Sequence, residues 1–216
     1  MTNFLDAVRA GDRDAVRTQL QEDPSRAGAR DEHDTSAVRL ALYHGQAELA
    51  DELLAAGPEL DVWDAAALGD VDRLRALLDD KPYLAAAYAP DGFYPLGLAA
   101  FFSRPDAVAL LLERGAQPDQ AAATVSQVRA VHAAAAARDH ESMRLVLEAG
   151  AAVDARQHGG LTPLHAAAQH GDQEMVELLV AHGADPKLSD NGGRDAAAHA
   201  EAGGFPALAE WLRERG

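Results

Sequence analysis

The 216-residue sequence contains no cysteine. This absence excludes a disulfide framework, a thiolate metal site and a cysteine nucleophile. Aromatic residues are also scarce, at 5%, although 48% of the residues are hydrophobic and many of these are alanine. Because alanine is the strongest helix former, whereas strands prefer β-branched and aromatic residues, the composition predicts short, closely stacked helices.

Basic residues are few, since 19 Lys and Arg stand against 35 Asp and Glu, which gives a formal net charge of −16. A nucleic-acid binder needs a basic face, and the longest basic cluster here, from Arg213 to Arg215, is interrupted by Glu214. We therefore expect no binding to nucleic acid and a protein partner that is neutral or basic. The same negative charge opposes self-association, so we expect a monomer.

Long hydrophobic runs are absent as well. No stretch approaches the roughly 18 consecutive apolar residues that a membrane-spanning helix requires. The amphipathic start, MTNFLDAVRAGD, lacks the apolar centre of a signal peptide. We therefore expect no membrane association and a cytoplasmic location.

The clearest repeat runs from Asp154 to Pro186, with the sequence DARQHGGLTPLHAAAQHGDQEMVELLVAHGADP. It combines a Thr-Pro-Leu-His turn at residues 162–165, a glycine at position 171 and an apolar stripe that includes Leu178. This pattern resembles an ankyrin repeat almost residue for residue. Threonine as N-cap and proline in the first turn fit the start of a helix, and glycine fits its end.

Six further segments hold a similar spacing with more divergence. The first and third units match each other at a constant offset of 58 residues, as Gly11 and Gly69 show. One helix pair cannot bury its own apolar stripe, so the units must stack. The resemblance therefore implies a single all-α domain over residues 1–216, an ankyrin-type α-solenoid of about seven helix-turn-helix repeats with short β-hairpin fingers. The approximate repeats are 1–29 (N-terminal cap), 30–59, 60–89, 90–120, 121–153, 154–186 and 187–216 (C-terminal cap).

One finger is expected to be missing. Gly45 and Gly69 are only 24 residues apart, against 34 residues from Gly69 to Ser103, and the chain runs from Gly57 to Leu60 directly into a helix. The gap forms either a binding notch or, as we favour, only a bend.

The resemblance implies variable contact positions at the finger tips and just before the glycine that ends each first helix. Phe93, Phe101 and Phe102, three of the five phenylalanines of the chain, occupy such positions in one repeat. They form an exposed patch, or they pack into the space that the missing finger leaves. Small residues, among them Ala67, line the rest of the expected groove. The predicted partner-binding residues are Tyr43, His44, Phe93, Phe101, Phe102, Gln169 and His170.

The sequence contains no recognisable catalytic, phosphate-binding or metal-binding motif, so we expect no catalytic residue, cofactor or metal. His165 belongs to the repeat motif and has a structural role there, and Trp63 replaces this histidine in the unit without a finger. The sequence indicates a non-catalytic protein–protein interaction module that binds a protein or peptide in its concave groove. The alternative is a small-molecule-binding protein or an unusual enzyme with a pocket near the missing finger, around Tyr43, His44, Phe101 and Phe102. His44 is then the candidate acid–base.

Overall fold

A computed structural model describes residues 3–216, and this part of the chain forms fourteen α-helices in seven antiparallel pairs. The helices are α1 (Phe4–Ala10), α2 (Arg13–Glu22), α3 (Ala37–Tyr43), α4 (Ala47–Ala55), α5 (Val62–Leu68), α6 (Val71–Asp80), α7 (Pro95–Phe101), α8 (Pro105–Glu113), α9 (Ala130–Ala137), α10 (His140–Glu148), α11 (Pro163–Gln169), α12 (Gln173–Ala181), α13 (Ala196–Ala202) and α14 (Pro206–Arg213). Each pair lies within one of the seven repeat ranges given above.

The helix pairs stack side by side in chain order. Each odd-numbered helix packs against its own partner and against the next odd-numbered helix, from α1 through to α13. The even-numbered helices α6, α8, α10 and α12 form a second row in the same way. This arrangement confirms the predicted all-α solenoid. None of these helices is long and apolar enough to cross a lipid bilayer.

A left-handed residue and an aspartate set the turn within most pairs. In the first pair Gly11 (φ 69°) ends α1, and the side chain of Asp12 accepts the backbone N–H of Ala15 at the start of α2. The third pair repeats this arrangement with Gly69 (φ 77°). After α9 the left-handed residue is Arg138 (φ 56°) rather than glycine. Helices of seven to ten residues are marginal alone, so their stability comes from stacking.

The apolar stripes of the second helices lie mostly in the core. In α12, Met175, Val176 and Leu179 are fully buried. Leu178, predicted to be buried with them, is only partly buried because it lies at the edge of the core.

The fingers are hairpin loops closed by one or two backbone hydrogen bonds, such as the one from the N–H of Ala89 to the carbonyl of Phe93 (2.8 Å). Only isolated bridges occur among the described residues, and none extends into a strand. We call the fingers by the helix that follows: the α3 finger (29–36), the α7 finger (87–94), the α9 finger (116–129), the α11 finger (151–162) and the α13 finger (184–195). From the α7 finger onward each tip is joined to the next by one backbone hydrogen bond, between residues 92 and 123, 126 and 158, and 159 and 191.

No finger precedes α5 in the described chain. Helix α4 ends at Ala55 and α5 begins at Val62, whereas α6 ends at Asp80 and α7 begins only at Pro95. The buried core divides at the same place: one cluster runs from Phe4 to Leu53 and the other from Val62 to Leu212. The solenoid therefore has a joint between its second and third repeats.

Candidate interaction site

Four aromatic side chains meet where the finger is missing, and we call them the aromatic cluster: Tyr43, Phe93, Phe101 and Phe102. The ring of Tyr43, at the end of α3, lies 6.0 Å from that of Phe93 and 5.9 Å from that of Phe102. The rings of Phe101 and Phe102 meet edge to face at 5.1 Å. Such arrangements are favourable for aromatic pairs. Tyr43 thus reaches past the third repeat to residues of the fourth.

The members of the aromatic cluster differ in exposure. Phe101 is 51% exposed, whereas Tyr43, Phe93 and Phe102 are half-buried. Phe101 thus presents its ring to solvent, whereas Phe93 and Phe102 pack against Tyr43 beside the missing finger. Ala67, expected to line the groove, is instead fully buried, because it lies on the inner face of α5 within the stack.

The other three predicted contact residues stand apart from the aromatic cluster. His44 follows Tyr43 as the C-cap of α3 and is exposed. Gln169 and His170 are exposed at the end of α11, two helix pairs beyond α7. Gln169 and His170 share with Phe101 and Phe102 the position at the end of the first helix of a repeat.

A cavity of about 270 Å³ adjoins the aromatic cluster, and we call it the α7–α9 cavity. Its walls are almost entirely apolar. They include Tyr43 and Phe93, Leu98 and Phe101 of α7, Val128 of the α9 finger and Ala133 of α9. The cavity opens between two neighbouring inner helices and the fingers that precede them.

Tyr94 and Gly97 complete the wall of the α7–α9 cavity. Tyr94 is the N-cap of α7 and 1% exposed, and a Cβ at position 97 would lie 2.8 Å from its ring. The pair therefore replaces the threonine and histidine found at positions 162 and 165 of the regular repeat. The glycine three residues after Tyr94 is the sequence signal that the tyrosine ring turns inward.

A buried charge network lies beneath the aromatic cluster, on the side of α3. The hydroxyl of Tyr43 donates to Asp91 Oδ2 at 3.0 Å, and the same oxygen lies 3.9 Å from Nε of Arg39. Arg39 is fully buried, and its Nη1 lies 3.8 Å from Asp64 and 3.9 Å from Asp61. Nε and Nη1 of Arg39 have no hydrogen-bond partner within the described chain. We call these residues, together with Arg30, the Arg39 network.

Burial raises the pKa of three groups at this site, Tyr43, Tyr94 and Asp64. Burial raises the pKa of the Tyr43 phenol, and the charge of Asp91 raises it further. Burial also raises the pKa of Tyr94. In the Arg39 network, burial and the neighbouring charge of Asp61 raise the pKa of Asp64 to about 6. The two phenols in the wall of the α7–α9 cavity are therefore neutral, and His44 is not part of that wall.

A family model described as ankyrin repeats (3 copies) matches residues 96–190 and 131–216, which together make up more than half of the chain. The chain belongs to the ankyrin repeat family. It is also 42% identical over 106 residues to the human protein named Neurogenic locus notch homolog protein 4. That alignment covers 47% of this chain and 5% of the relative, so the chain spans only a small part of it. Ankyrin repeats are generally protein–protein interaction modules.

The histidines of the ankyrin motif are structural. Nδ1 of His165 accepts the backbone N–H of Thr162 at 2.9 Å, so Nε2 carries the proton and donates to the carbonyl of Leu188 at 2.9 Å. Trp63 is not at the corresponding helix position, which Asp64 holds, but its indole N–H makes a similar bond to the carbonyl of Ala87 at 3.0 Å. Among the described residues no three His, Asp or Glu side chains are grouped to hold a metal ion.

Proposed function

We propose that the protein binds a protein or peptide partner in its concave groove, at the surface around the aromatic cluster. The observation that carries this proposal is the exposure of Phe101, which is 51% accessible while its ring rests on the half-buried Phe102. An aromatic side chain held rigidly at a surface loses little conformational entropy when a partner covers it. Such residues concentrate binding free energy.

The proposed role is non-catalytic and needs no cofactor. The α7–α9 cavity offers no acid–base side chain except two phenols, and burial raises the pKa of both. His44, the acid–base candidate of the enzyme alternative, lies outside the cavity wall. The cavity itself favours small-molecule binding as the second candidate, although its volume is below the roughly 300–1,000 Å³ of most ligand sites.

Charge supports a neutral or basic polypeptide rather than a nucleic acid as the partner. The formal net charge is −16. On the α3 finger, the side chains of Glu32 and Asp34 are 73% and 59% exposed. A like-charged polyanion would be repelled from such a surface. We further expect the protein to act as a cytoplasmic monomer.

The test compares wild-type protein with Phe101→Ala as baits, followed by affinity measurement on the partner that the wild type captures. The Phe101→Ala substitution should lower the affinity for that partner by tenfold or more, since a central aromatic anchor contributes about 1.4 kcal/mol or more of binding free energy. Phe205→Ala is the matched control, because Phe205 is also exposed, at 38%, but lies at the last helix pair. Equal losses from both variants, or no loss from Phe101→Ala, would place the interaction elsewhere.

A further inference from the structure

The α7–α9 cavity is an apolar feature of the structure to which binding by the exposed Phe101 assigns no role. Its volume of about 270 Å³ exceeds the roughly 150 Å³ in which an engineered apolar cavity binds benzene. It falls below the volume of most whole-ligand sites. A cavity of this size has room for one large apolar side chain.

The cavity is preformed by packed elements rather than by loose side chains. Leu98 is 1% exposed and Ala133 is 2% exposed, and the ring of Tyr94 already fills the space where a side chain at position 97 would lie. Residues 92 and 123, in the two flanking fingers, are joined by a backbone hydrogen bond of 2.8 Å. A ligand group therefore enters without ordering the wall, which lowers the entropic cost of binding.

Apolar surface continues beyond the mouth of the cavity. Phe101 lines the cavity and is 51% exposed. This surface offers contacts to the residues on either side of an inserted side chain. A small molecule that fills only the cavity would leave the exposed surface uncovered, so the arrangement favours a polypeptide.

On the side of α3 the Arg39 network carries an excess of negative charge, and its Asp61 and Asp91 side chains are 20% and 15% exposed. In the Arg39 network the carboxylates of Asp61, Asp64 and Asp91 lie within 3.9 Å of the single guanidinium of Arg39. The backbone carbonyl of Asp34 also faces Arg39, at 3.4 Å from Nη2. Even with Arg30 included, carboxylates outnumber guanidinium groups here. A lysine or arginine of the partner would be attracted to this side.

We propose that the α7–α9 cavity holds one large apolar side chain of the partner, and that a basic residue next to it faces the α3 side. The proposal rests on the proposed function, since it assumes that the groove binds a polypeptide. It adds what the partner segment must contain.

The probe is the peptide acetyl-Lys-Phe-Lys-amide, titrated into ¹⁵N-labelled full-length protein and followed by NMR. Amide signals of Leu98, Val128 and Ala133 should shift together. Replacing the phenylalanine of the peptide with alanine should weaken binding at least tenfold. Replacing its lysines with glutamates should weaken it several-fold at low salt and less at 0.5 M salt, because salt screens exposed charges.

Ala133→Leu, which fills the cavity from α9, should abolish these shifts. Ala166→Leu is the matched control, since Ala166 occupies the same position of α11. If Ala133→Leu does not fold, nuclear Overhauser contacts between the peptide's phenyl ring and the Leu98 methyl groups in the wild type decide the question. Shifts that map elsewhere, or an alanine peptide that binds equally well, would overturn the proposal.

Toluene, which carries the same ring without a peptide, distinguishes the two kinds of occupant. If toluene shifts the cavity signals and no peptide does, the cavity is a small-molecule site and the proposal is wrong. If a captured partner depends on Phe101 but is insensitive to Ala133→Leu, the proposed function stands and the anchoring cavity does not. If binding of the partner is unaffected by both Phe101→Ala and Ala133→Leu, the proposed function and the anchoring cavity are both rejected.

Discussion

Replacing His132 with glutamine tests how one buried ring couples the stability of the array to pH. His132 is 4% exposed; its Nδ1 accepts the N–H of Arg129 at 3.2 Å, and its Nε2 donates to the carbonyl of Ala155 at 2.9 Å. Burial lowers the pKa of the ring from 6.5 to about 4. The stability that it contributes is therefore fully present above pH 6.5 and is lost as the pH falls towards 4.

These two pKa values set the size of the effect. Between pH 7.5 and pH 5 the free energy of unfolding should fall by about 2 kcal/mol through His132, because His132 is protonated in the unfolded chain and stays neutral in the folded chain. Glutamine does not titrate. The difference in unfolding free energy between the wild type and His132→Gln should therefore shrink by about that amount over the interval. Urea melts at the two pH values measure it.

Asp64→Asn provides a counter-test of opposite sign. Burial raises the pKa of Asp64 from 3.8 to about 6, so its contribution is present below pH 3.8 and is lost as the pH rises through 6. Relative to Asp64→Asn, the wild type should gain stability on going from pH 7.5 to pH 5. A His132→Gln difference that stays constant, or that grows towards pH 5, would refute the assignment of a neutral buried ring.

Three further predictions concern packing, and urea melts check each of them. Leu110→Ala should lower the free energy of unfolding by about 2–5 kcal/mol, because Leu110 is 3% exposed. Leu178→Ala should lower it by less, because Leu178 is only partly buried. The reverse order would contradict the described core. Tyr94→Phe should leave stability unchanged or raise it, because the buried Tyr94 hydroxyl has no hydrogen-bond partner in the described chain; a loss above about 1 kcal/mol would reveal a partner. Phe102→Ala should destabilise more than Phe101→Ala, and equal losses would mean that Phe101 is packed as well.

The architecture could be predicted from the sequence, because the signals that specify it are local. A Thr-Pro-Leu-His turn starts a helix, a glycine such as Gly171 (φ 65°) ends it, and the apolar spacing of the next helix defines the buried stripe. The spacing between successive glycines also indicated that one connection is short. These features depend on residues within a few turns of each other, so they can be read without tertiary contacts.

The residues that occupy the place of the missing finger could not be predicted in this way, because long-range contacts bring them together. Tyr43 donates a hydrogen bond to Asp91, which lies 48 residues further along the chain. Ala67, which lies between these two residues in the sequence, is buried. The division of the core, the burial of Arg39 and the α7–α9 cavity follow from the same long-range packing. No local pattern predicts them, because the burial of a ring at a given helix position depends on how closely the neighbouring repeats pack around it. Phe101 and Phe102 are adjacent in sequence, and the repeats around them leave one ring exposed and half-bury the other.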